Sequence, residues 1–123
     1  MIKLMCAVGS INALVAVFLG AFGAHALKPR LTPEFMKAYE TGVEYHFYHA
    51  LGLFAVAFVL SQIPESTPVR LSGWLMLAGI VLFSGSLYVM TLSGIRVLGV
   101  ITPVGGVALI VAWALLTVGI VKA

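Results

Sequence analysis

Three histidines and a short run of hydroxyl-bearing residues are the side chains in this sequence that could do chemistry. His46 and His49 stand three positions apart, which places them on one face of a helix, with Glu44 just ahead of them. His25 ends an earlier apolar run and could approach them across a helix hairpin. Imidazoles grouped this way bind a metal or the edge of a haem, so His25, His46 and His49 are the candidate ligands. The spacing is unspecific, because no HExxH, no Glu-x-x-His and no cysteine partner goes with it. The expectation is therefore no cofactor, with the histidines and tyrosines as interfacial or helix-joining groups.

A second polar set is Ser84, Tyr88 and Thr91, at helical spacing, with Ser86 beside them and Thr102 further on. In lipid such a stripe joins helices through hydrogen bonds, or it walls a small polar pocket. Ser84 or Ser86 with a histidine would make a nucleophile and base, but the chain has no Asp to orient the pair, and no enzyme is expected. All four acids are Glu: Glu34, Glu40, Glu44 and Glu65. A proton-coupled exporter needs an acid inside a span. Here only Glu44 comes near one, at its margin.

The elements that must position these residues are membrane spans. The 123-residue chain is 62% hydrophobic and 9% charged, against about 25% charged in a soluble domain. A soluble domain this small could not hide that much apolar surface. Stretches free of Asp, Glu, Lys and Arg cover 4–27, 45–64, 71–95 and 97–121. Each is close to the roughly 20 residues that cross a bilayer as a helix. The reading is an all-α integral membrane protein, a four-helix bundle in one domain. Its spans are expected at about 4–27, 44–63, 71–93 and 103–121. Lys3 and Ala24-His25-Ala26 mimic a signal peptide, but the apolar run is too long and is read as a retained helix.

Thr32-Pro33-Glu34 is a helix start: a capping hydroxyl, a proline at the first position and an acid behind it. It begins an amphipathic segment over 33–43, expected on the membrane surface before span two, with Gly42 as a bend. Thr102-Pro103 repeats the signal for span four. Small residues at Gly9, Ala13, Ala16, Gly20 and Ala24 form a seam on span one, with Gly105, Ala108, Ala112 and Gly119 as a looser one on span four. Such seams let helices approach closely. The seven basic residues are scattered at segment ends, and no patch suggests nucleic acid. Three of them on the side of the termini against four on the other favour cytoplasmic first and third connections. Cys6 is alone, so no intrachain disulfide forms.

Four motifs in order, Gly20-Ala21-Phe22-Gly23-Ala24-His25, Glu44-Tyr45-His46-Phe47-Tyr48-His49, Phe83-Ser84-Gly85-Ser86-Leu87-Tyr88 and Thr102-Pro103-Val104-Gly105-Gly106, carry a resemblance over nearly the whole chain. The sequence resembles the YgdD/YwdK-like small membrane proteins, the family of domain of unknown function 423, related to transmembrane protein 256. The resemblance implies a multi-pass protein of the cell (inner) membrane without an established activity. Its pattern matches His25 and His49, while His46 departs from it, which weakens a three-histidine ligand set.

The functional expectation is a non-enzymatic membrane-embedded binding or accessory protein. Its partners would be membrane lipid, a copy of itself in a homo-oligomer, or a larger membrane complex. The alternatives are a small channel or transporter with its mouth at the His/Tyr-rich end, and a haem- or metal-binding redox subunit using His25 and His49. The pocket candidates are His25, Glu44, His49, Ser84, Ser86, Tyr88 and Thr102.

Overall fold

The computed structural model describes residues 1–123 and is all helical. Helix α1 spans Ile2–Phe22 and runs into one wide π-helical turn, Gly23–Leu27, closed by Lys28 N–H donating to Gly23 C=O at 3.0 Å. Helix α2 spans Pro33–Gln62, α3 spans Thr67–Ser93, a 3-10 turn covers Arg96–Val100, and α4 spans Thr102–Lys122. Each of these four is long and apolar enough to cross a membrane.

The helix ends follow from local chemistry. The Thr32 hydroxyl accepts Phe35 N–H at 3.2 Å, and Pro33 occupies the first turn, where no donor is missed. Ser66 accepts from Val69 N–H at the start of α3. Gly94 ends α3 with φ 77, a left-handed conformation that only glycine adopts without steric cost. Thr102 departs from the expected cap. It is the first residue of α4, where no side chain caps, and its hydroxyl pairs with Ser86 Oγ at 2.6 Å. The first turn is closed by backbone instead, Gly105 N–H donating to Ile101 C=O.

The amphipathic stretch and span two are one helix. Gly42 continues it without a break, buried against Leu87 and Tyr88 of α3. Val43 lies on Gly20 and the Tyr39 ring on Gly23, so this part of α2 runs alongside α1 rather than apart from it on the surface.

Packing is sequential: α1 lies on α2, α2 on α3 and α3 on α4. The small residues serve these contacts. Gly9 lies on Ala50 and Phe54, and Ala16 is fully buried, while Ala24 is exposed. On α4, a Cβ at Gly105 would overlap the Leu82–Phe83 backbone, so α3 and α4 touch main chain to main chain there. A large apolar cluster, including Met5, Leu53, Val56, Met76, Ile80, Leu109 and Leu116, fills the half of the bundle nearer the termini. A small one, Leu27, Met36 and Tyr39, sits under the first connection. Polar side chains gather between the two.

Candidate functional site: an intramembrane polar layer and an outward polar face

The polar layer is built on α2. Asn12, midway along α1, donates through Nδ2 to Val8 C=O at 2.8 Å, which turns its Oδ1 toward α2. There it accepts from His46 Nε2–H at 2.9 Å. With its proton on Nε2, His46 keeps a lone pair on Nδ1, which accepts the Tyr88 hydroxyl of α3 at 2.8 Å. One neutral imidazole thus joins α1, α2 and α3. His49, one turn on, has the opposite tautomer. Its Nδ1–H donates to Tyr45 C=O at 2.6 Å, and its Nε2 accepts the Trp113 indole N–H of α4 at 3.0 Å. Ser84 donates to the Gly42 carbonyl at 2.7 Å, a second α2–α3 link, and the Ser86–Thr102 pair links α3 to α4. Tyr39, 1% exposed, donates to the Leu19 carbonyl beside the π-helical turn. No buried side-chain nitrogen or oxygen lacks a partner.

The sequence candidates therefore separate. Ser84, Ser86, Tyr88, Thr102 and His49 are brought into the layer, but as distinct bonded pairs rather than around one cavity. His25 is exposed on the π-helical turn, far from His49, and both nitrogens of His46 and His49 are engaged. This corrects the suggestion that the three histidines meet: no group of three or more His, Cys, Asp or Glu side chains comes together. The histidines also lie deeper than the end-of-span position expected of them, since α2 begins at Pro33 and both stand near its middle. The large apolar cluster fills the bundle between the layer and the side of the termini, where a channel would need a polar path.

Asn12, Tyr39 and Trp113 are outside the sequence-derived candidates. Asn12 was legible as the one amide in span one. Trp113 carried a signal in its depth, because a tryptophan at mid-span rather than at the headgroup level needs a partner for its N–H.

Glu44 points the other way. The outward face of α2 carries exposed Lys37, Glu40, Glu44 and Tyr48, with Thr41 partly covered, at helical spacing. Gly20 lies on Val43, beside Glu44, and His25 is the one polar side chain between Gly20 and Lys28, which puts this carboxylate roughly 12 Å inside the level of Lys28 at 1.5 Å per residue. Tyr48 is one turn deeper and 55% exposed. The chain's ion pairs, Arg96–Glu34 at 3.0 Å and Arg70–Glu65 at 3.9 Å, leave Lys37, Glu40 and Glu44 without a counter-charge. Arg96 also stacks on the Phe35 ring, 4.8 Å from its centroid, tying the 3-10 turn to the start of α2.

Four apolar helices, backbone-satisfied and joined by a buried hydrogen-bonded layer, define a multi-pass membrane protein. Residues 19–106 match the model of a family described as protein of unknown function (DUF423), and the chain belongs to that family. It is 52% identical over 120 residues to the UPF0382 membrane protein YwdK of Bacillus subtilis, covering 98% of each chain. It is 43% identical to a UPF0382 membrane protein of Staphylococcus saprophyticus, again with 98% of each covered. A UPF0382 membrane protein of Staphylococcus epidermidis is 42% identical, with 98% of this chain and 97% of that one covered. No solved structure matches.

Proposed function

We propose that this chain is a non-enzymatic, membrane-embedded binding protein that works by docking another membrane protein chain through the outward face of α2. The observation that carries this reading is Glu44, a carboxylate without a counter-charge, aimed out of the bundle well inside the span. Ionisable groups at that depth nearly always face protein or water rather than lipid tails. The interior supports the same reading, because its polar side chains are already engaged, across helices or with the carbonyls of their own helix. The layer is scaffold and the exposed face is the working surface.

A photo-reactive amino acid placed at Leu51, directly below Tyr48 on this face, tests it in native membranes, with Val107 on the lipid side of α4 as control. Protein adducts at Leu51 and lipid adducts at Val107 are expected. Lipid adducts alone at both positions would overturn the reading.

A further inference from the structure

Resting on that reading, we propose that the occupant of the α2 face is a second copy of this chain. The two α2 helices lie side by side about a twofold axis along the membrane normal, with Tyr48 of each copy donating its hydroxyl to the Glu44 carboxylate of the other.

Lys37, Thr41, Glu44 and Tyr48 follow steps of four, three and four, so they form one narrow stripe, and Leu51, Ala55 and Phe58 continue it as an apolar seam toward the termini. Of the latter, Leu51 and Phe58 are exposed at 50% and 68%. Helices α1 and α3 pack on the two sides of α2, so its outward face is the part of the helix left open to a parallel neighbour.

A twofold contact presents the same patch on both sides, so the patch must hold donors as well as acceptors. This stripe holds both: hydroxyls at Thr41 and Tyr48 and an ammonium at Lys37, against carboxylates at Glu40 and Glu44. Helices related by a twofold along the membrane normal are parallel and carry equal residues at equal depth. Helical side chains lean toward the helix N-terminus. Tyr48 and Glu44 both lean this way, and the longer tyrosine side chain spans the remaining distance, so its hydroxyl reaches the Glu44 carboxylate, one turn above, on the neighbouring helix. Within one chain the Tyr48 ring is turned to Tyr45, 5.9 Å between centroids, and Tyr45 lies on Phe83 at 4.6 Å, and both tyrosines remain exposed. A lipid tail offers nothing to either the carboxylate or the phenol, and a second copy satisfies both.

The test uses full-length protein in native membranes with Cys6→Ser as background. Leu51→Cys is expected to give an oxidised dimer, with Val107→Cys giving at least fivefold less. Adding Tyr48→Phe or Glu44→Ala to Leu51→Cys should cut the dimer at least fivefold, whereas Glu44→Gln, which keeps an acceptor, should retain most of it. Thermal stability of each variant, read separately, shows that the fold survives. Where a variant does not fold, single-molecule photobleaching of the unaltered protein in bilayers decides the matter, with two steps per spot expected. Dimer yield at Leu51→Cys no greater than at Val107→Cys, dimer unchanged by both Tyr48→Phe and Glu44→Ala, or single bleaching steps would overturn the proposal. Cross-linking at Leu51 only to a different polypeptide would overturn the second copy as occupant and leave the docking function standing. No protein adduct there at all would overturn both.

Discussion

At the scale of single residues, His46 shows how the chain uses polarity in an apolar setting. Each ring nitrogen meets one group of opposite role, an acceptor on α1 and a donor on α3. Interhelical hydrogen bonds in membranes contribute about 0.6–2 kcal/mol each. The larger effect is the cost of breaking one side only. Asn12→Leu strands the His46 Nε2–H, and Tyr88→Phe strands Nδ1, so each should lower stability in detergent by about 1–3 kcal/mol. Adding His46→Leu to Asn12→Leu removes both members of that bond and leaves only the Tyr88 hydroxyl unpaired, so the double variant should cost clearly less than the sum of its singles. Thermal melts of the four proteins measure this. Trp113 offers a second readout. Its indole N–H is held by His49, whereas Trp74 is half-exposed without such a bond. The Trp113 indole proton should exchange with deuterium more slowly than that of Trp74 in indole-labelled NMR, and His49→Ala should abolish the difference.

At the scale of helices, the contacts turn on a few glycines and on which hydroxyl does what. Neighbouring glycines in α4 make a sharp comparison. A Cβ at Gly105 collides with the α3 main chain, which has nowhere to move, whereas one at Gly106 meets only the Phe83 ring, at 3.7 Å or beyond. Gly105→Ala should therefore cost about 1–3 kcal/mol of stability through overpacking. Gly106→Ala should be neutral or gain up to about 1 kcal/mol from helix propensity. Chemical or thermal unfolding of the two single variants checks both signs. The two Thr-Pro signals diverge in the same way. Thr32→Ala loses a cap, with a cost of about 0.5–2 kcal/mol. Thr102→Ala loses a tie to Ser86 instead, so it should have no further effect on stability once Ser86 is already Ala.

These comparisons also show what the sequence could carry. Spans, the Thr32 cap and the glycine stop at Gly94 depend on composition and on neighbours within a turn, and such signals survive in a linear reading. The Trp113–His49 bond joins residues 64 apart and depends on the rotation of α4 about its axis, which no local pattern encodes. The depth of the histidines was misplaced for a related reason. The charge-free run begins at Tyr45, but α2 begins at Pro33, and only the contact of Val43 with Gly20 sets the level of Glu44 against α1. Thr102 repeated a capping pattern that Ser86, on another helix, diverts.

At the scale of the whole molecule, the division of labour is between an interior that is chemically complete and one face that is not. The bundle's polar layer sits between two apolar clusters, and its bonds tie each helix to the next. Sequential packing of this kind has a bearing on how the protein is made. Each helix finds its main partner in the one that enters the bilayer immediately before or after it, and the His49–Trp113 bond is left for the last helix to complete. Contacts between near neighbours in the chain are the ones that form fastest. The protein can therefore be assembled hairpin by hairpin as it leaves the ribosome. The α2 face comes into being with the first pair of helices, before α4 has been translated.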